Sequence, residues 1–140
     1  MYIVSSEYEL TVSFEDLDPM NIVWHGNYLR YLEKARCDLF SKLNYTYMDM
    51  KDDGIMYPAA KVKMKYIKPA FFGDVLRIET SIISIEPALD IKYKIYNKKT
   101  GEKIFEAETM QIAVDINTRE SVFNAPERLI KILKSAPDRI

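Results

Sequence analysis

Only one long segment of this 140-residue chain carries apolar residues at helical spacing. Tyr28, Leu32, Ala35, Leu39 and Leu43 recur every three to four positions, with Leu29, Tyr31, Arg36 and Phe40 beside them. The spacing predicts a helix of about four to five turns from near Gly26 to Leu43. Its apolar surface exceeds a narrow stripe, so protein should wrap most of it. Nearly everything else has a period of two. Tyr8 to Phe14 is aromatic and β-branched. Val62, Met64 and Tyr66 alternate with Lys61, Lys63 and Lys65. Asp74 to Ile85 is rich in β-branched residues, and Leu89, Ile91, Tyr93 and Ile95 alternate with Asp90, Lys92 and Lys94. Lys99-Thr100-Gly101-Glu102 reads as a hairpin turn into a last strand, Ile104 to Val114. The polar stretch Lys51 to Gly54 reads as a connection, and Ala125 to Ser135 as a short amphipathic helix with Pro126 in its first turn. One strand, a long helix, four strands in antiparallel succession and a small helix do not alternate as a parallel sheet requires. The order predicts one α+β domain over residues 1–140, an antiparallel sheet packed on one dominant helix. A single helix covers only part of such a sheet. The open face or edge predicts at least a dimer.

Composition narrows the function classes. Twenty Lys and Arg stand against 21 Asp and Glu, a net charge of -1, which argues against nucleic acid as a partner. The single cysteine, Cys37, forms no intrachain disulfide; a buried, inert thiol is its default reading. With one histidine, His25, the chain lacks the ligands of a structural zinc site. Asp16, Asp18 and His25 are too few to complete a metal shell, so neither a metal nor a cofactor is expected. Met1 to Leu10 has no basic or apolar leader pattern, and no apolar run approaches the ~18 residues of a membrane helix. The expectation is a cytoplasmic protein with no integral membrane segment.

The stretch that could carry chemistry is Phe14-Glu15-Asp16-Leu17-Asp18-Pro19-Met20-Asn21-Ile22-Val23-Trp24-His25-Gly26-Asn27-Tyr28. It holds the only His and the only Trp, just ahead of the long helix. Unpaired N–H groups at a helix start carry partial positive charge and stabilise an anion, including one that develops in a transition state. Gly26 permits close approach to that backbone. A carboxylate on the preceding loop would then act on a carbonyl held there, the arrangement acyl-transfer hydrolysis needs. The same residues also have an ordinary reading as turn formers and caps, Asp18-Pro19 above all.

From Glu15 to Tyr28 the chain resembles the signature of the hotdog-fold acyl-CoA thioesterases, in particular the 4-hydroxybenzoyl-CoA thioesterase family and its Tol-Pal-associated branch. Tyr66-Ile67-Lys68-Pro69-Ala70-Phe71-Phe72-Gly73-Asp74 resembles that family's strand-and-turn segment, and Tyr31-Leu32-Glu33-Lys34-Ala35-Arg36 the body of its helix. The resemblance implies an antiparallel sheet wrapped around one long central helix, with Asp18 as the catalytic carboxylate. Asp18 would either attack the thioester carbonyl or activate water; both routes stay open. The oxyanion would rest on the backbone N–H of His25 or Gly26. His25 matches a histidine of the Tol-Pal-associated branch that orients substrate or assists the water, and Tyr28 a family tyrosine that packs or positions substrate. A homodimer, and a homotetramer as a dimer of dimers, is implied, with the site between subunits and acyl-CoA, or an acyl carrier protein, as the substrate.

Met20-Asn21 departs from the small residue and Gly that many members carry after the Asp-Pro pair. Asn tolerates the left-handed region, and Met20 adds bulk to the acyl pocket. Met20, Trp24, Phe71 and Phe72 read as apolar lining. Lys61, Lys63, Lys65 and Lys68 form a row that would either meet coenzyme A phosphates, with Lys65 foremost, or remain a solvated edge. Glu33 reads as the partner of Arg36 at i,i+3 rather than as a second catalytic carboxylate, and Asp16 as a support of the loop. A non-hydrolytic acyl-CoA or carrier-protein binding module is the alternative. A dehydratase of the same fold would take a His and an acidic residue from separate segments, an arrangement poorly supplied with His25 next to the Asp18 loop, and no Gly-x-Ser-x-Gly elbow offers a Ser-His-Asp triad.

Overall fold

The computed structural model describes residues 2–140. Its element order is β1 (Val4–Thr11), a 3₁₀ turn (Phe14–Asp16), α1 (Asn27–Lys42), α2 (Tyr47–Asp52), β2 (Ile55–Met56), β3 (Ala59–Tyr66), β4 (Val75–Ser84), β5 (Leu89–Asn97), β6 (Lys103–Gln111), β7 (Ala113–Asp115), β8 (Ser121–Val122) and α3 (Glu127–Ser135). A five-stranded antiparallel sheet runs β1-β4-β5-β6-β3, and a small sheet runs β2-β7-β8.

The two periods meet in one core. α1 buries Tyr28, Tyr31, Leu32, Ala35, Leu39 and Phe40. The sheet offers inward rows set by its register, such as Ile78–Ile95–Phe105 and Thr80–Tyr93–Ala107. The outer face is a charge lattice: Lys65 and Lys94 flank Glu106, and Lys63 and Lys92 flank Glu108. Such exposed pairs contribute about 0–1 kcal/mol each, so the register rests mainly on the buried side. α1 ends in a Schellman turn. Asn44 takes φ 57, its N–H donates to Ser41 O, and the Tyr45 N–H donates to Phe40 O.

Several elements differ from the sequence expectation. β1 starts earlier and ends earlier than Tyr8 to Phe14, because Val4 already pairs with Ile82 and the chain leaves the sheet after Thr11. Of the four later strands β4, β5 and β6 are antiparallel neighbours in succession, as expected, but β3 lies at the far edge and pairs with β6, where Lys63 and Lys65 face Glu108 and Glu106. The last strand, expected over Ile104 to Val114, breaks at Ile112 and serves both sheets. The polar connection hides α2, whose start is closed by the Thr46 N–H donating to the Asp49 carboxylate at 2.7 Å. Cys37 is exposed rather than buried. It lies two residues beyond the buried Ala35, about 200° around the helix.

β3 is exposed along nearly its whole length and closes the sheet as an edge. Its apolar side chains Val62 and Tyr66 stand 39% and 46% exposed. No helix of the structure is long and apolar enough to cross a membrane.

Leu39 is fully buried at the α1–sheet contact. Leu39→Ala should lower the unfolding free energy by about 2–5 kcal/mol, while Cys37→Ser should stay within about 0.5 kcal/mol of the wild type. Urea denaturation followed by circular dichroism measures both.

Candidate active site

The loop between β1 and α1 is built on Asp16. Its carboxylate accepts the Ser13 N–H at 3.1 Å and the Tyr31 hydroxyl at 2.8 Å. Its carbonyl accepts the Asn27 side-chain amide at 2.8 Å and the Trp24 N–H at 3.0 Å. Arg30 adds a longer ion pair at 3.6 Å. Asp16 is only 5% exposed, so these donors satisfy a carboxylate that water barely reaches. The expectation that Asp16 supports the loop is met. Among the described residues, no cluster of His, Cys, Asp and Glu could hold a metal ion.

From that anchor the chain turns at Asp18-Pro19. The Asp18 Oδ1 accepts the Met20 N–H at 2.8 Å, and the Asn21 N–H donates to the Asp18 carbonyl at 2.9 Å. Asn21 adopts φ 63, the left-handed conformation that Asn tolerates. The departure from Gly at this position therefore leaves the turn intact. Asp18 Oδ1 is thus held by backbone, while Oδ2 has no protein hydrogen bond among the described residues. The Asp18 N–H returns to Ile22 O, and the Val23 N–H donates to Ala70 O, both at 2.9 Å. With the Ile22–Phe71 bridge, these bonds bring the 15–28 and 66–74 blocks together.

Asp18, Met20, Ile22, Val23, His25, Tyr28, Tyr66, Ile67, Lys68 and Pro69 surround an open cavity of about 370 Å³. Its walls are mostly apolar, and Asp18 and His25 both open onto it. The Trp24 carbonyl accepts the Asn27 N–H at 2.9 Å, whereas the N–H groups of His25 and Gly26 donate to no carbonyl among the described residues. The first turn of α1 contains no acidic residue, so its positive end is not neutralised from within the helix. The Tyr66 hydroxyl donates to the His25 carbonyl at 2.9 Å and fixes that peptide. Burial pushes the Tyr28 phenol up to about 12, against the lowering effect of the Ala70 N–H. Tyr28 is therefore a neutral hydroxyl across the physiological range. Its ring stacks on Phe105 with centroids 4.6 Å apart.

Not every expected site residue reaches this cavity. Lys65 points to the outer face of the sheet, opposite Glu106, because its neighbour Tyr66 points inward and side chains alternate. Lys68, which follows the strand, lines the cavity instead and pairs with Glu102. Phe72 lies outside the cavity wall and packs edge-on against Phe14, with centroids 6.0 Å apart. Trp24 stands half-exposed beside His25, with centroids 5.2 Å apart. Its indole occupies the space that a side chain on Gly26 would need, so the close approach permitted by Gly26 is made by Trp24. Met20 is exposed at the cavity rim. Sequence reasoning missed Tyr66, Tyr31 and Asn27 as supports. Tyr66 lay inside a recognised block, but its bond to the His25 carbonyl spans 41 positions and leaves no local pattern.

The comparisons with known proteins agree with this architecture. The family model described as the thioesterase-like superfamily matches residues 12–136. The chain is 32% identical over 111 residues to YneP of Bacillus subtilis, covering 79% of this chain and 80% of that one. It is 27% identical over 134 residues to the 1,4-dihydroxy-2-naphthoyl-CoA hydrolase of Thermosynechococcus vestitus, covering 94% and 90%. Among solved structures it is similar to the DHNA-CoA thioesterase of Staphylococcus aureus, with a TM-score of 0.82 and 26% identity over 98% of this chain and 99% of that one. A long helix laid in an antiparallel sheet, a carboxylate loop at the helix start and a family match across nearly the whole chain lead to one statement: the chain belongs to the thioesterase-like superfamily and has the hotdog fold.

Proposed function

We propose that this protein hydrolyses acyl-CoA thioesters to a free acid and coenzyme A, with Asp18 as the catalytic carboxylate. The observation that carries the reading is the sharing of one apolar cavity by the Asp18 carboxylate and the helix-start residue His25, whose N–H is unpaired. The hydrolase and thioesterase names of the relatives support it.

In this reading the acyl group lies against Met20, Ile22, Val23 and Ile67. The thioester oxygen accepts from the N–H groups of His25 and Gly26, where the helix dipole favours the negative charge that develops on it. Asp18 Oδ2 then acts in one of two ways. It attacks the carbonyl carbon, forming an anhydride and expelling the coenzyme A thiolate, which takes up a proton; water then hydrolyses the anhydride to the free acid and restores the Asp18 carboxylate. Alternatively it takes a proton from a water that attacks directly. Single turnover in ¹⁸O-water separates them, since only the anhydride route exchanges an oxygen of the Asp18 carboxylate. The His25 imidazole orients the substrate or the water; this histidine supports a place in the Tol-Pal-associated branch. Lys68 is the lysine best situated to meet a phosphate, in place of Lys65. No resident metal or cofactor enters the reaction, and the protein acts in the cytoplasm.

The active form in this reading is a homodimer, and a tetramer as a dimer of dimers. The free N–H and C=O groups of the β3 edge, with Val62 and Tyr66 exposed beside them, support pairing with the β3 of a second copy. Such pairing would set each Asp18 cavity next to the partner's sheet edge.

Thiol release from a panel of acyl-CoA and acyl-carrier thioesters tests the activity. Asp18→Asn should lower kcat by about 10²–10⁴-fold with the fold intact. Full activity in that variant would refute the site, and an inactive wild type that still binds acyl-CoA would make the protein a binding module. Tyr31→Phe removes a donor from Asp16, costing about 1–3 kcal/mol of stability. As a positioning residue it should reduce kcat more than it changes KM; a loss of stability with unchanged kcat would make its role structural only. Light scattering should find the wild type as a dimer or tetramer, and Val62→Asp should shift it toward monomer with a parallel loss of activity.

A further inference from the structure

A second cavity lies away from the Asp18 loop. It sits under the C-terminal half of α1, between α2 and the end of β6, and has a volume of about 120 Å³. It shares no lining residue with the Asp18 cavity. Along α1, Arg36 stands about 14 Å beyond Asn27, at 1.5 Å per residue. Phe40, Met50 and Leu89 form its apolar body, each almost wholly buried.

Two polar groups in this wall are left without partners. Gln111 is 2% exposed; its amide donates to the Tyr57 carbonyl at 2.7 Å, but its Oε1 accepts nothing. The Tyr57 hydroxyl, on a residue 6% exposed, also has no partner. A buried polar group left unmade costs about 1–3 kcal/mol, and two on one wall call for a physical reason. Loop strain does not supply it: Gln111 ends β6 in register with Ala59 and Leu89, and its amide holds the Tyr57 carbonyl. Charge does not supply it either: Arg36, the cation in the wall, gives Nη2 to Glu33 at 2.5 Å and to the Tyr47 hydroxyl. The charge is neutralised at the mouth, and the interior is left apolar with one acceptor and one hydroxyl.

We propose that this cavity is a binding site for a small uncharged ring-sized group bearing a hydroxyl, of which phenol is the simplest example. The ring packs on Phe40, Met50 and Leu89. Its hydroxyl donates to Gln111 Oε1 and accepts from the Tyr57 hydroxyl. The volume matches: dry cavities on the order of 100–150 Å³ hold one aromatic ring. Gln111 Oε1 accepts and cannot donate, so the site discriminates a hydroxylated ring from an ether or a plain hydrocarbon. The same chemistry has two sources. One is a free phenolic molecule. The other is a phenol ring at the far end of a long acyl chain, and that source alone rests on the thioesterase reading above.

Calorimetric titration of the full chain with phenol and with toluene tests the site independently of any activity. Phenol should bind saturably, one per chain and more tightly than toluene. Tyr57→Phe removes only an oxygen and should weaken phenol by about five- to tenfold while leaving toluene unchanged, the loss expected of one hydrogen bond. Met50→Phe fills the space and should abolish binding of both; thermal melting checks that each variant is folded. Absence of saturable phenol binding, or equal phenol affinity in folded Tyr57→Phe, overturns the proposal. Thiol-release kinetics assign the source. A Met50→Phe increase in KM for an acyl-CoA whose long chain ends in a phenol ring, but not for acetyl-CoA, upholds the site as the seat of an acyl group. Phenol changing the rate without competing with that phenol-tipped thioester upholds it as the seat of a free ligand.

Discussion

Asp16 ties three parts of the chain to one point: the end of β1 through Ser13, the start of α1 through Asn27 and Trp24, and the body of α1 through Tyr31. A carboxylate this deeply buried is tolerable only while its donors stay in place. The loop between β1 and α1 is therefore held by an all-or-none constraint rather than by many weak contacts. Asp18, two residues on, inherits its position from that anchor and from its own turn bond to Met20. The same bonds hold the Trp24-His25-Gly26 segment at the start of α1, where His25 lines the cavity. Asp16 and Asp18 thus divide the labour within one short motif. The first is spent on structure and enclosed by donors, and the second keeps an oxygen free.

The fold supplies the rest of the setting. α1 presses its apolar arc on the inner rows of the sheet, and its first turn emerges beside the 66–74 segment. That packing makes the helix dipole useful, because an unneutralised N-terminus facing an apolar pocket acts in a medium of lower dielectric than water. Tyr66 and Tyr28 close the cavity with rings packed on Phe105, so the core and the site share residues. Aromatic packing stiffens a region that carries several large exposed side chains, among them Met20, Trp24 and Phe72.

Local features were legible without coordinates. The helix from Gly26 to Leu43, the Gly101 turn, the tolerance of Asn21 for a left-handed backbone and the Glu33–Arg36 pair all depend on neighbours within a few positions. The misjudged features were read from residue type or composition rather than from the position of the residue on its element. Cys37 looked like a core thiol by residue type, yet its angle on α1 turns it outward. Lys65 stood in a row of lysines, yet strand alternation puts it on the outer face opposite Glu106, and the lysine that lines the Asp18 cavity is Lys68. α2 was written in the Thr46 and Asp49 pair, a cap within a segment otherwise polar enough to pass for a loop.

The amino-acid order alone determined where the long helix and the long strands β3 to β6 broadly lie, that the chain needs no disulfide, and which short motif holds the candidate carboxylate, since each follows from periodicity, composition or adjacent residues. Tertiary structure decided which strand became the open edge, which carboxylate was enclosed and which left free, and which tyrosines stand beside the helix start. Those outcomes rest on pairings across 15 to 41 positions, such as Tyr31 with Asp16 and Tyr66 with His25. Contacts of that span arise only when separate elements pack, and packing is a property of the whole core rather than of any local run of residues.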